Sequence, residues 1–388
     1  MSKIQTIAVL FGGRSSEHEI SLRSCIHILK NIPATYGIVP VGINRSGQFH
    51  SLSGQLNSQD FQNITPDDLS LIVAGKNPAQ LAQKSKIQQS VFLPIPKNAL
   101  QNLSTDFNLK VLNNNIDCIF PVLHGPNGED GRLQALFELA EIPYVGCNLT
   151  ASAVGMDKDI QKRLAHEAGI PIAKYAVCHI EEFEKNKSAI LNDIAKNIGF
   201  PCFIKPNALG SAVGTGKAHN ETELEEKLKQ ALMFDSKALI EELLVGTEVE
   251  CGFLGTPISP RVTTPGEIAT SNFYSYEEKY SSTSTAELFI PARLDAKRTK
   301  ELQELALKTA RTLGLQGFSR IDFWNLKNTN TFIFNEVNTC PGLTSISMFP
   351  KLWEYDGVSA KDWIQELIDS AFKEHTFRTR VEYGLGHS

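Results

Sequence analysis

The run GFSRIDFWNLKNTNTFIFNEVNTCPGLTSISM, Gly317 to Met348, reads as two apolar strands joined by the polar turn NLKNTNT. Side chains alternate across a strand. Arg320 and Asp322 therefore share one face, with Ile321 and Phe323 directed to a core, and Glu336 and Asn338 share a face of the second strand. Pairing the strands as a hairpin gathers three oxygen-donating residues and one guanidinium in one corner. Hard oxygen donors of this kind suit Mg²⁺, whose shell is usually completed by substrate phosphates and water. The same alternation also fits the polar outer face of an antiparallel sheet. Past the second strand, Pro341-Gly342 breaks the pattern, and Ser345 and Ser347 follow as hydroxyl donors. Gly342 has no Cβ, so its N–H can approach a ligand closely.

Outward from this hairpin the chain alternates strand and helix. TIAVLF (6–11) is a buried strand stopped by Gly12-Gly13, EISLRSCIHILKNI (19–32) carries apolar residues at helical spacing, and YGIVPVGI (36–43) is a second strand. Strand–helix–strand with short links specifies a parallel sheet in an α/β unit. Residues 46–110 are polar, with the short apolar pieces LSLIV and VFLPI, and read as an insertion of short strands and loops. IDCIFPVLHG (116–125) resumes the sheet, GRLQALFELAEI (131–142) is an amphipathic helix, and PYVG is a short strand. In the middle, MDKDIQKRLAHEAGI (156–170) is a helix closed by Gly169, FPCFIKP (200–206) a strand, ETELEEKLKQALMF (221–234) a helix and ALIEELL (238–244) a strand. The last third holds a strand VECGFLG, a long helix (295–314), the hairpin and a helix near 359–373.

The bulk numbers restrict the function classes. With 388 residues there is room for about two or three domains. A net charge of −5 and a pI near 6.0 argue against a nucleic-acid partner, which calls for a basic face. The seven cysteines (25, 118, 147, 178, 202, 251 and 340) form no CxxC and no zinc-spaced cluster; an odd, scattered set points to buried thiols in a reducing cytosol. The opening MSKIQTIAVLFGG lacks a signal pattern, and no apolar run approaches 18 residues, so no membrane partner is expected.

Several further segments can carry chemistry. The loop LGSAVGTGK (209–217) is glycine-rich, with Lys205 ending the preceding strand and Ser211 and Thr215 supplying hydroxyls. Backbone N–H groups of such a loop can wrap phosphate oxygens. Five residues separate Gly210 from Gly216 where a Walker A loop has four, and Ala218 stands where that motif needs Ser or Thr. A hairpin tip is the plainer reading. In FGGRSSEHEIS (11–21), Glu17 falls at the C-terminal edge of the first strand, where open α/β sheets bind ligands, and could hold an ammonium. Ser16 and Glu19 have capping-box spacing, which leaves Glu17 free of that duty. The absence of GxGxxG disfavours a dinucleotide-binding oxidoreductase. His124, in HGPNGEDG, reaches the same sheet edge, and FYSYEEKYSSTSTAE (273–287) reads as a linker or as a lid with Lys279 and Tyr280 reaching inward.

In this order the segments resemble the D-alanine–D-alanine ligases of the ATP-grasp superfamily, in their longer form. The resemblance runs from AVLFGGRSSEHEIS to SMFPKLW and rests on HGPNGEDGRLQ, GMDKDIQKRL, FIKPNALGSAVG, FYSYEEKY, GFSRIDF and NEVNTCPGLTSISM. It implies an α/β and α+β protein: an N-terminal Rossmann-like parallel-sheet unit (1–148) with the insertion 46–110, two ATP-grasp units (149–241 and 242–376), and a loose tail (377–388). It implies ATP bound by Lys158, Lys205 and Ser211 at the phosphates, by Glu241 and Leu244 at adenine through the strand backbone, by Phe273 on the ring and by Glu248 at the ribose. Lys279 would meet the γ-phosphate. Two Mg²⁺ ions, replaceable by Mn²⁺, would sit on Asp322, Glu336 and Asn338. Glu17, with His124 nearby, would hold the first D-alanine ammonium. Arg320 and the Gly342 N–H would face the reacting carboxyl, Ser347 the second D-alanine carboxylate, and Tyr280, linked to Ser211 and Glu17, would close the lid. The resemblance further implies a cytoplasmic homodimer serving peptidoglycan synthesis. Glu242 and Ala212 depart from the family pattern, which more often has Lys and Ser there. D-Lactate or D-serine as second substrate, and a non-catalytic nucleotide-binding regulator, are the alternatives; the intact Arg320, Asp322 and Glu336 weigh against the last.

Overall fold

The structure, a computed structural model, describes residues 4–91, 110–111, 116–210, 212–269 and 287–381. The first of its three sheets is built from β1 (Thr6–Gly12), α1 (His18–Asn31), β2 (Gly37–Ile43), β3 (Phe49–Gly54), α2 (Pro66–Val73), β4 (Ser85–Val91), β5 (Lys110–Val111), β6 (Cys118–Val122) and α3 (Arg132–Leu139), in strand order β5-β4-β3-β2-β1-β6. β1 pairs with β2 and β6 in parallel, as the strand–helix–strand pattern specifies, whereas β3 and β4 join antiparallel. The segment expected as an insertion of loops and short strands therefore extends the first sheet. Its LSLIV piece is helical, within α2. The cause is a capping box, in which Thr65 accepts from the Asp68 N–H and Asp68 from the Thr65 N–H, with Pro66 opening the helix. PYVG contributes only a bridge, Ile119 to Tyr144. The capping box expected of Ser16 and Glu19 does not form: α1 begins at His18 with Glu17 at its N-cap and no side-chain cap bond, and Glu19 lies 3.5 Å from Arg45.

The second sheet follows α4 (Leu149–Met156) and α5 (Lys158–Glu167). It comprises β7 (Tyr175–His179), α6 (Ile180–Asn197), β8 (Cys202–Pro206), β9 (Gly216–Ala218), α7 (Glu221–Leu232) and β10 (Lys237–Glu242), in antiparallel order β7-β10-β8-β9. The helix read from Met156 starts two residues later, as α5, because Met156 ends the separate helix α4. Asp157 leaves helical geometry and caps α5 by accepting from the Ile160 N–H at 2.9 Å. In α7 the stripe Leu224, Leu228 and Ala231 is fully buried against Ile204 and Ile240, as its periodicity demands.

The third sheet holds β11 (Gly246–Gly255), β12 (Pro260–Val262), β13 (Gly266–Ala269), β14 (Glu287–Phe289), β15 (Gly317–Leu326) and β16 (Phe332–Asn338), with α8 (Ala296–Thr312) on its apolar face. Val249, Cys251, Phe253, Ile321, Phe323 and Phe334 form that face with Leu302 and Ala306 of α8. The β15–β16 hairpin pairs Arg320 with Asn338 and Asp322 with Glu336, then shifts register so that Phe323 meets Phe334. The shift leaves Asn335 as an extra residue, a β-bulge beside the polar corner. After α9 (Met348–Tyr355), α10 (Ala360–Arg378) returns to the first sheet, where Trp363, Ile364 and Leu367 pack with Val9, Phe11 and Phe120. The tail expected to be loose from 377 is helical through Arg378. All seven cysteines are free and buried. No helix among the described residues is long and apolar enough to cross a membrane.

Candidate active site

The corner expected from the hairpin is present, and it is not a solvent-facing sheet surface: Asp322 is 1 % exposed. The Arg320 guanidinium donates from Nε to Asp322 Oδ1 (2.8 Å) and from Nη2 to Oδ2 (2.7 Å), a bidentate fork. Asn338 Nδ2 donates to Asp322 Oδ2 at 2.8 Å. From β11, Glu250 stands opposite Asp322 in register, with Oε2 3.1 Å from Arg320 Nε. Burial would lower the Arg320 pKa, but Asp322 and Glu250 outweigh it and push it well up. Glu336 faces Asp322 in register, while its Oε2 lies 3.3 Å from Lys158 Nζ. The carboxylates that close around Asp322 are instead Glu248 and Glu250, with ligand atoms all within 4.8 Å of one another. This set of hard oxygens suits a divalent cation, although the Arg320 guanidinium already bridges Asp322 and Glu250; Glu336 and Asn338 bring further oxygens to the cleft beside it. Glu250 was not singled out from the sequence; the alternation Glu248–Glu250 on β11 was the signal that could have found it.

Beside this corner lies a lysine cluster. Lys158 and Lys162 are four residues apart on α5, hence on one face. Lys158 Nζ donates to the Leu209 carbonyl at 2.9 Å. Lys162, 1 % exposed, lies 2.5 Å from Glu241 Oε1, and Lys205 lies 2.6 Å from Glu241 Oε2. Lys205 also donates to Asn335 Oδ1 at 3.1 Å, the contact made by the bulge. Burial alone would raise the Glu241 carboxyl, but Lys162 and Lys205 hold it at about 2. Burial pushes Lys162 down against the pull of Glu241, while Glu241 and Glu336 overcome burial to raise Lys205. Lys162 is a second residue that the reading missed, although its spacing from Lys158 announces it. Leu244, just past β10, and Glu248 line the cleft. Glu242 accepts from the Lys174 N–H at 2.8 Å, and Ala212 adopts a left-handed φ of 54°.

Glu17 closes the other end of the cleft, 7 % exposed. A Cβ added at Gly125 would come within 2.7 Å of Glu17 Oε2, and one at Gly210 within 3.1 Å, so both loops approach it as bare backbone. His124 uses both ring nitrogens. Nδ1 donates to the Cys340 carbonyl at 2.8 Å, and Nε2 accepts from Ser24 Oγ at 2.9 Å, which itself accepts from the Leu343 N–H. Burial lowers the His124 pKa, which suits this neutral tautomer. His124 therefore fastens α1 to the turn after β16. Glu129, missed in the sequence, accepts from the Gly125 N–H (2.7 Å) and the Cys340 N–H (3.0 Å); burial and then Glu17 raise its carboxyl to about 8. Gly342 packs on Ser347: an added Cβ would meet Ser347 Oγ at 2.9 Å. Ser347 Oγ also lies 2.7 Å from Thr344 Oγ1, and Ser347 is the N-cap of α9 without using its side chain as a cap.

Glu17, His124, Lys158, Lys205, Glu241, Arg320, Glu336, Asn338, Gly342 and Ser347 all line one cleft of about 1440 Å³. Ser211, Phe273, Lys279 and Tyr280 lie outside the described residues.

Residues 6–147 match the family model "D-ala D-ala ligase N-terminus", and residues 164–369 match "D-ala D-ala ligase C-terminus". The chain belongs to the D-alanine–D-alanine ligase family. A protein named D-alanine–D-alanine ligase from Thermoanaerobacter sp. (strain X514) is 40% identical over 96% of this chain and 98% of its own length. One of the same name from Legionella pneumophila (strain Corby) is 37% identical over 98% of this chain and 99% of its own. Among solved structures, the D-alanine–D-alanine ligase from Coxiella burnetii superposes with a TM-score of 0.78 at 29% identity, covering 98% of this chain and 97% of that one. The VanG D-Ala:D-Ser ligase from Enterococcus faecalis does so with a TM-score of 0.78 at 34% identity, covering 95% of this chain and 100% of that one. The ligase family's ATP-grasp fold is thus shared by enzymes named for different second substrates.

Proposed function

We propose that this chain joins two D-alanines into D-alanyl-D-alanine at the expense of ATP, supplying a peptidoglycan precursor. The observation that carries the reading is the Arg320–Asp322–Asn338 corner, which opens on the same cleft as Glu17 and the lysines of α5 and β8, in a chain similar to D-alanine–D-alanine ligases along its whole length. A carboxylate is a poor electrophile. The first D-alanine, its ammonium held by Glu17, would attack the γ-phosphorus of ATP through a carboxylate oxygen, and the bond to ADP would break. The amine of the second D-alanine would then attack the carbonyl carbon of the acyl phosphate, lose a proton and expel phosphate. Lys158 and Lys205 would hold the triphosphate, Glu241 and Leu244 the adenine through the strand backbone, and Glu248 the ribose. Arg320 and the Gly342 N–H would stabilise the oxyanion, a contribution of about 3 kcal/mol for one such donor. Ser347 would receive the second carboxylate. Asp322, Glu336 and Asn338 would hold two Mg²⁺ ions, which offset the repulsion between nucleophile and phosphate when bound. Glu250 supports this reading by pairing with Arg320 on the wall of the cleft.

Ser211, Phe273, Lys279 and Tyr280 complete the proposal as lid and phosphate contacts that keep water from the acyl phosphate. We take the three sheets to mark three structural units with the boundaries given above, and the protein to act as a homodimer in the cytosol, where seven free thiols persist. The test is incubation with ATP, Mg²⁺ and D-alanine, followed by detection of dipeptide and phosphate, with L-alanine as control. D-Serine and D-lactate are offered as second substrates in parallel. Dipeptide with D-alanine is the expected product; preference for either competitor would remove the specificity and keep the chemistry.

A further inference from the structure

We infer that Lys162 is a positioning residue for nucleotide binding: as the resident counter-ion of Glu241, it allows Lys205 to leave that carboxylate for a phosphate. The inference rests on the ATP-dependent reading above and assigns a role to a side chain which that reading leaves unused. The two oxygens of Glu241 are divided between two lysines, Oε1 to Lys162 at 2.5 Å and Oε2 to Lys205 at 2.6 Å. The lysines differ in what else they can reach. Lys205, with 12% of its side chain exposed, lines the cleft. Lys162, with 1% exposed, does not line it.

A buried carboxylate stripped of its cation is strongly disfavoured, because the charge has left water without compensation. Were Lys205 the only partner of Glu241, a phosphate could draw it away only by stranding that charge. Lys162 removes the obstacle by keeping one cation on Glu241 throughout. Neither partner can follow Lys205 outward. Glu241 is in register on both sides within the sheet, opposite Tyr175 and Phe203. The helix bearing Lys162 is pinned by its neighbour Gln161, which accepts from the Val337 N–H at 2.9 Å and donates to the Gly155 carbonyl.

The experiment measures affinity for Mg²⁺-ADP by calorimetry on the full chain, with KM for ATP and for D-alanine alongside. The proteins are the parent, Lys162→Met, Lys162→Arg, Glu241→Gln and the double variant Lys162→Met/Glu241→Gln. Lys162→Met is expected to weaken nucleotide binding by about tenfold or more and to raise KM for ATP equally, leaving KM for D-alanine unchanged. Lys162→Arg is expected to retain binding. Adding Glu241→Gln to Lys162→Met is expected to recover most of the loss, because the carboxylate that captures Lys205 is gone; a merely structural lysine would show no such recovery. Nucleotide binding by Lys162→Met within about twofold of the parent, or a double variant no better than Lys162→Met, overturns the inference. Should Lys162→Met fail to fold, the double variant, which removes both buried charges together, is compared with Glu241→Gln. Affinities within about twofold support the role, and a further tenfold loss overturns it. A parent that binds no nucleotide overturns the ATP-dependent reading itself, whereas a parent that binds while the cycle fails overturns this inference alone.

Discussion

Replacing Glu129 by Gln is expected to flatten the pH dependence of stability on the alkaline side. The Glu129 carboxyl is buried beside Glu17, and burial first, then that neighbouring charge, raise it from an ordinary 4.5 to about 8. A carboxyl whose folded pKa lies above its unfolded value stabilises the fold in its protonated form. Glu129 therefore contributes fully below pH 4.5, and the contribution disappears as pH rises to about 8. Each pH unit in that interval carries about 1.4 kcal/mol, which sets a ceiling of about 5 kcal/mol; relaxation and water entry around a buried carboxylate reduce this to about 2–3 kcal/mol. Gln cannot ionise and keeps the shape of the protonated acid. It does turn an NH₂ toward one of the two N–H groups, Gly125 or Cys340, that Glu129 accepts from. That loss, about 1–3 kcal/mol, is the same at every pH and cancels from the comparison. Denaturant midpoints of both proteins at about pH 5, 7 and 9 supply the measurement. The variant is expected to gain on wild type by about 2–3 kcal/mol from the lowest pH to the highest. Parallel curves would refute the claim that Glu129 holds its proton in the fold.

Glu336→Gln is expected to abolish Mg²⁺-dependent ADP formation with little change in melting temperature, and near-normal turnover would remove Glu336 from the cation site. The same variant is expected to bind ATP in EDTA more tightly than wild type, because it removes a like charge beside the phosphates; calorimetry decides. Gly342→Ala places a Cβ 2.9 Å from Ser347 Oγ. It should raise KM for the second D-alanine several-fold while leaving KM for ATP unchanged, and an unaltered amino-acid KM would dissociate Ser347 from that subsite. Gln161→Leu removes the acceptor of the buried Val337 N–H. A loss of about 1–3 kcal/mol in denaturant unfolding is expected.

Alternation and turn chemistry made the polar corner legible, because both act over a few residues. Ile321 and Phe323 had to be buried, which put Arg320 and Asp322 on the opposite face, and the hairpin turn then set Glu336 against Asp322. What escaped is non-local or weakly patterned. Glu250 alternates with Glu248, but what it faces is set only when β11 lies beside β15, a pairing across about seventy residues of chain. α6 buries Phe183, Leu191 and Ile194, but Asn186 leaves helical geometry between the first and the other two, so the apolar stripe is broken by a kink. α2 was missed for a different reason. Its apolar run of five residues fits strand or helix equally, and only the Thr65–Asp68 capping box decides between them. Glu129 resembles any acidic residue in a turn until Gly125 and Cys340 are seen closing over it.

The charges of the cleft are answered within the chain: Arg320 by Asp322 and Glu250, Lys158 by Glu336, Lys205 by Glu241. Exposed pairs of this kind would contribute at most about 1 kcal/mol each. These are half-buried or buried, and removing one partner leaves a charge that costs several kcal/mol to strand. Binding at this site is therefore an exchange of partners. A phosphate that takes Lys158 weakens the pairing of Glu336, whose charge also acts on Lys205 and Lys162, and Glu336 then faces a triphosphate with like charge. The same carboxylate, so exposed, becomes a strong cation ligand. On the proposed function this links nucleotide and divalent ion through one side chain: transfer of Lys158 to phosphate costs less when a cation reaches Glu336 in the same event. Glu241 escapes that coupling because Lys162 remains behind. On that proposal Glu241, which keeps the buried Lys162 at 2.5 Å, belongs to the scaffold, and Glu336, which lines the cleft beside Lys158, belongs to the ion.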